Sequence, residues 1–255
     1  MKGQIFDVDK SITLTVDGEK WNQGEIIKGN IEITNTSTHN IDIQSTKIQL
    51  CYGDFKKVQQ KSKNAFQIVS TVDINLNQQL KPKSSLKGLF EFETGLNAFI
   101  TDKKGSLFIL YYPKMVNDSL EFAHLQLIIQ PHFILDEFSK ILEMFFRFKL
   151  KEVKNSSGGT IYNYLAPSSK EFSNLDSFDL VFKFHEDKSI SIETLAALKK
   201  IEVSSSVNKL KKYKKEFTHV LTPKEYFLAP GIMNQDRIIQ FLNEILNQIK
   251  MNIFS

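Results

Sequence analysis

The chain has 255 residues, 41% hydrophobic and 24% charged. That balance excludes a disordered or fibrous protein and, at roughly 100–200 residues per domain, allows one large domain or two small ones. Cys51 is the only cysteine, the net charge is +4, and just Arg147 and Arg237 among 33 basic residues are arginines, so an intrachain disulfide and a cysteine-based metal cluster are excluded and arginine-led nucleic-acid recognition is disfavoured.

The first half alternates in twos. Ile12, Leu14 and Val16 predict a strand with one buried face. After the turn-rich stretch 17–25, Ile27, Gly29, Ile31 and Ile33 predict a second. Ile41 and Ile43 hold odd positions, whereas Ile48 and Leu50 hold even ones. That change of parity predicts a bulge or a switch between sheets at 44–47. Alternation continues through Phe66, Ile68, Val72, Ile74 and Leu76, then through Leu86, Gly88, Phe90 and Phe92. Runs at 107–112 and 125–129 complete the half. Seven or so short strands with polar turns and no convincing helix predict an antiparallel sandwich.

The period changes after Pro131. Ile134, Leu135, Phe138, Ile141, Leu142 and Phe145 form a helical stripe across 134–146. Strands are predicted again at 146–153, 160–165, 178–184 and 189–195. Segment 199–221 fits either strands or a broken helix. Near the end, Asp236 is placed to cap a helix carrying Ile238, Ile239, Leu242, Ile245, Leu246 and Ile249 on one face. Strands never alternate regularly with helices, which disfavours a doubly wound parallel sheet.

Sites of chemistry are hard to find. The glycine pair of NSSGGT (155–160) has no lysine placed to reach a phosphate and reads as a hairpin tip. Gly24 and Gly29 imitate P-loop spacing, but Ile26, Ile27 and Asn30 exclude it. His39, His124, His132, His185 and His219 are scattered. His124 and His132 flank one strand end, yet two histidines without a third ligand make a poor metal site. Cys51 lies on a predicted strand and reads as a buried thiol. The pairs Glu91/Glu93 and Asp176/Asp179 read as solvated faces. No catalytic, cofactor-binding or metal-binding residue is assigned. The longest apolar run falls far short of the ~20 residues of a spanning helix, and MKGQIFDVDK does not open like a secretory leader. A soluble cytoplasmic protein is expected.

Two segments are candidates for interaction. The stretch KLKKYKKEF (209–217) carries Lys211, Lys212, Lys214 and Lys215, with Leu210, Tyr213 and Phe217 between them. It reads as a solvated basic face or as a contact for an acidic partner or anionic lipid. The apolar face of the last helix, Ile238 to Ile249, either docks on its own domain or enters a partner's groove.

Several segments resemble a known family. SITLTVDGEKWNQGEIIKGNIEI (11–33) runs from a strand through a polar turn into a G-x-x-x-x-G-x-apolar-x-apolar strand, with Gly24 and Gly29 at that spacing. IDIQSTKIQL (41–50) follows. IIQPHFILDEFSKILEMFFRFKLKEV (128–153) passes from a proline through a helix to a strand. IYNYLAPSSKEFSNLDSFDLVFKFHEDKSISIETL (161–195) carries an aromatic-proline segment, a leucine-aspartate step into a strand and a hairpin. Together these resemble the bacterial sporulation-control proteins with an arrestin-like fold. The lysine-rich 204–217 departs from that pattern.

The resemblance implies an all-β protein with two arrestin-like β-sandwich domains in tandem, an amphipathic helix at their junction and a C-terminal helix. The expected divisions are 1–130, then 131–221 opening with helix 134–146, then a tail 222–255. The function implied is that of a non-enzymatic regulatory or scaffold protein with protein partners, no cofactor and no nucleic acid. The alternative is a membrane-surface trafficking adaptor resembling vacuolar-sorting cargo subunits, making peripheral contact through its basic stretch.

Overall fold

Alternating apolar residues need a partner layer on one side, and the first half of the chain supplies it with strands. A computed structural model describes residues 1–116, 119–203 and 208–251, and the side chains of these except 112–122, 200–213 and 251. The chain divides into two units, Met1–Gln130 and Pro131–Ser255.

The first unit contains β1 (Lys2–Phe6), β2 (Lys10–Val16), β3 (Trp21–Asn22), β4 (Ile26–Asn35), β5 (Ile41–Ile43), β6 (Thr46–Asp54), the one-turn helix α1 (Phe55–Gln59), β7 (Phe66–Ile74), β8 (Gln78–Leu80), β9 (Ser85–Glu93), β10 (Gly105–Val116), β11 (Ser119–Gln126) and β12 (Ile129–Gln130). Two antiparallel sheets, ordered β1-β2-β4-β9 and β11-β10-β6-β7, form the sandwich. Ile12, Leu14, Ile27, Ile31 and Phe92 from one sheet meet Ile48, Leu50, Leu107 and Ile109 from the other in one core. The parity change at 44–47 is a switch of sheet. There β5 pairs with β8 in a ladder of its own, while β6 joins β7 and β10.

Both glycines of the family-like motif have a physical role. Gly24 adopts φ +87°, a left-handed conformation that favours glycine, in the turn before β4. At Gly29 a Cβ would collide with the Thr15 carbonyl and the Phe90 ring, so the strand comes this close to its neighbours only without a side chain.

The first half also holds a helix that the alternation hides. Asp54 caps α1 by accepting from the Lys57 N–H at 3.0 Å. Phe55 and Val58 on α1, with Phe66, pack over Cys51, Phe108 and Leu110 on the outer face of β6 and β10. Leu107 to Tyr111 are therefore buried on both faces of their strand, as their unbroken apolar run requires. Burial of Cys51 pushes its thiol up to about 11.

The second unit contains α2 (Phe133–Met144), β13 (Lys149–Ser156), β14 (Gly159–Leu165), a 3-10 turn (Lys170–Phe172), β15 (Leu175–Phe184), β16 (Ile190–Val203), β17 (Asn208–Leu221), α3 (Pro223–Tyr226), β18 (Phe227–Ala229), β19 (Ile232–Met233) and α4 (Gln235–Met251). Strands β13 to β17 form one antiparallel meander in sequence order. Gly158, with φ +80°, sits in the tight turn between β13 and β14, where NSSGGT is expected to be a hairpin tip. Segment 199–221 is strand wherever it is described, so Leu210 falls on the opposite strand face from Tyr213 and Phe217 and the three form no helical stripe.

Tyr162, Phe178, Leu180, Phe182, Ile190 and Ile192 give the meander one deeply buried face. Where the sandwich expectation places a second sheet, α2 and α4 cover this face. Phe138 of α2 meets Phe182 of β15 at 5.4 Å and Phe241 of α4 at 6.2 Å, and Phe241 stands edge-on to His219 of β17 at 5.5 Å. The Tyr162 hydroxyl donates to Asp136 Oδ1 at 2.8 Å, tying α2 to β14. Helix α2 ends before Phe145, which is 56% exposed and so leaves the expected stripe. Asn234, not Asp236, caps α4, accepting from the Arg237 N–H at 3.2 Å.

Helix α4 is part of the core. Ile238, Phe241, Leu242, Ile245, Leu246 and Ile249 are each at most 2% exposed. At roughly 1.5–3 kcal/mol per buried side chain, their burial contributes on the order of 10 kcal/mol, comparable with the ~5–15 kcal/mol net stability of a whole domain. Polar ties hold both ends. Arg237 bonds Glu225 of α3 at 3.0 Å, and Lys250 reaches Glu171 at 2.7 Å over the Phe172 ring.

Three outcomes follow. Leu242→Ala is expected to lose about 2–5 kcal/mol in urea unfolding, and a chain ending at Ala229 is expected to lose cooperative unfolding of the second unit. Retention of that transition would mean that α4 is dispensable. Cys51 is expected to resist alkylation at pH 8 in the native protein and to react rapidly once unfolded, because a thiol at about 11 is almost wholly protonated there. Rapid native labelling, read by intact mass, would contradict that burial.

Candidate interaction surfaces

The two segments singled out by sequence meet different fates. The apolar face of α4 is occupied by its own unit. Ile238, Leu242, Ile245, Leu246 and Ile249 lie in the core, and Ile239 is half-buried at its margin. Of the two alternatives for this face, the burial of these residues favours docking on its own unit: the same spacing that would fit a partner's groove fits the uncovered side of the meander. The lysines lie elsewhere. Lys211, Lys212, Lys214 and Lys215 all belong to β17, the last strand of the meander. Lys214 is exposed and Lys215 half-buried, while the side chains of Lys211 and Lys212 lie outside the described residues.

A further surface, not singled out by sequence, is strand β7. It ends the sheet β11-β10-β6-β7, so no strand among the described residues is hydrogen-bonded to its side away from β6, although Ile74 at its end packs against Gly88 of β9. Edge strands are usually shielded by lysine, proline, a bulge or short length. This one is nine residues long, FQIVSTVDI, with neither lysine nor proline. Ile68 and Val69 are 58% and 49% exposed. Its one shielding feature is a register shift that leaves Val69 unmatched on β6. Alternation through Phe66, Ile68, Val72 and Ile74 predicts the strand but not its cover, and of β7 only Ile74 is among the fully buried residues of the core.

Groups capable of chemistry are engaged in local structure. At the β15–β16 hairpin, His185 Nε2 contacts Ser191 Oγ, whereas the Asp187 carboxylate accepts from Ser189 N and Oγ at 2.9 and 2.6 Å. Those bonds to Ser189 hold Asp187 below the usual carboxylate range. Imidazole and carboxylate thus serve different hydroxyls and form no relay. His124 packs against Phe66 and Phe108, and His132 against Phe133 and Phe184. Glu91 pairs with Lys28 at 3.9 Å, Asp176 pairs with Lys199 at 2.7 Å, and Asp179 accepts from Asn163. Among the described residues no three histidine, cysteine or carboxylate groups converge on a metal position, and no helix is long and apolar enough to cross a membrane.

Comparison with known proteins defines the fold. No family model matches the chain, and neither does any curated protein sequence. A solved structure does: Spo0M, a sporulation control protein from Bacillus subtilis, is similar with a TM-score of 0.62 at 14% identity, over 95% of this chain and 99% of that chain. The chain therefore has the arrestin-like fold of Spo0M.

Proposed function

We propose that this is a non-enzymatic regulatory or scaffold protein that works through protein–protein contacts in the cytoplasm. The observation that carries this reading is the open edge of β7. An extended partner segment laid beside it would complete the backbone ladder, and Ile68 and Val69 would give it apolar contacts. The arrestin-like fold supports the reading by analogy, since the fold alone assigns no function. The engagement of His185, Asp187 and Cys51 in turns and core accords with it.

The test is a comparison of wild-type protein with Ile68→Lys/Val69→Lys by quantitative affinity capture from the native host. Both side chains are largely exposed, so the fold should hold within roughly 0.5 kcal/mol per substitution. The expected result is loss of the captured partners at unchanged thermal stability. An identical set of partners, captured in equal amount by the folded variant, would remove β7 from the proposal.

A further inference from the structure

Strand β7 is flanked by charge at one end only. The connection from β6 through α1 into β7 carries Lys56, Lys57, Lys61 and Lys63, and the turn before β10 adds Lys103 and Lys104. All six are exposed. Backbone bonds gather them at the Phe66 end of the strand. The Asp54 N–H donates to the Ala65 carbonyl at 3.2 Å, the Ser62 N–H to the Lys57 carbonyl at 3.0 Å, and the Phe55 N–H to the Lys104 carbonyl at 2.8 Å. Two aspartates stand among these lysines, and both accept from backbone. Asp54 takes the Lys57 N–H at 3.0 Å, and Asp102 takes those of Lys104 and Gly105 at 2.8 and 3.0 Å. At the other end of β7, Asp73 pairs with Lys47 at 3.8 Å, and residues 75–79 carry no charge.

An open apolar position lies next to the basic end. The register sets Phe66 and Ile68 opposite Gly53 and Cys51, on the outer face of the sheet where α1 packs. The Phe66 ring leans over Gly53, where a Cβ would meet it at 2.9 Å. Ile68 finds no such cover and is 58% exposed.

Building on the proposed role of the β7 edge, we infer that its occupant is an acidic-tailed extended segment of a protein partner. That segment runs antiparallel to β7, sets apolar residues beside Ile68 and Val69, and carries aspartates or glutamates immediately C-terminal to them. Direction follows from the sheet: each of its ladders is antiparallel, and antiparallel pairing is the more stable kind. A segment laid in that sense passes Ile74 first and Phe66 last, so its C-terminal residues arrive among the lysines. At about 3.3 Å per residue, three residues beyond Phe66 span roughly 10 Å. Lysines at the rim of a contact select a partner of opposite charge and repel a basic one. A lipid surface would match the lysines but would supply no backbone ladder for β7.

The probes are N-terminally labelled, amidated peptides, titrated against the full chain by fluorescence anisotropy. One has alternating valine and threonine followed by three glutamates. A second ends in glutamines instead, and a third places the glutamates first. The glutamate-last peptide is expected to bind about tenfold tighter than either of the others at low salt, an advantage that high salt removes. Lys56→Gln/Lys57→Gln/Lys63→Gln should erase the advantage at unchanged melting temperature and leave the affinity of the glutamine peptide as it was. Methylating the backbone nitrogens of the apolar stretch should abolish binding, because the ladder needs those N–H groups. Equal affinity for glutamate and glutamine peptides would overturn the inference, as would tighter binding of the glutamates-first peptide, binding that survives methylation, or no binding at all. None of these touches the β7 reading itself, which host capture with Ile68→Lys/Val69→Lys tests separately. Peptides without preference, together with phosphatidylglycerol vesicles that sediment wild type but not the lysine variant, would assign the lysines to a lipid surface and end the inference.

Discussion

The meander β13–β17 has one face too apolar to meet water, and the second unit is organised by what covers it. Tyr162, Phe178, Phe182 and Ile192 create that demand, and α2 and α4 satisfy it through Phe138, Phe241 and Leu242. The first unit meets the same constraint with a second sheet. An amphipathic helix at the end of a chain invites assignment to a partner, but here its apolar stripe has an address within its own unit. Polar ties reinforce this: Glu225 closes the cap of α3 and is held below the usual carboxylate range by the Thr222 backbone N–H and by Arg237, which belongs to α4.

Once the faces are covered, the edges remain. A strand at the end of a sheet carries unpaired backbone groups, and the chain treats its edges differently. On β17, lysines make strand addition unfavourable at the edge where they stand. On β7 that protection is missing, and two exposed β-branched residues stand in its place. The proposed contact therefore lies at an edge strand and not on the helix.

Much of this was legible in the residues. Strict alternation at 12–16 and 27–33 located β2 and β4, and the parity change at 44–47 marked the step from one sheet to another. The helical stripe of α2 and the hairpin at Gly158 were equally plain. Three features were not. Helix α1 is one turn long, too short to show a period, and its only signal is Asp54 before Phe55 and Val58. The exposure of β7 was not legible because alternation reports which side chains share a face and not whether another layer covers it. The role of α4 was undecidable for a related reason: an apolar stripe looks the same whether the groove belongs to the chain or to a partner. For the lysines, composition showed the charge, but pairing was needed to place them on the last strand of the meander.

The central claim is that α4 belongs to the folded core of the second unit and leaves binding to the edges. Native-state hydrogen exchange, resolved by residue, tests it most directly. Amides of Ile238 to Ile249 should be protected to the same degree as those of Phe178 to Phe182 and should open with them as one unit, while the outward amides of β7 exchange far faster. Helix amides that exchange orders of magnitude faster than those of β15, with the sheet still protected, would show that α4 is not part of that core.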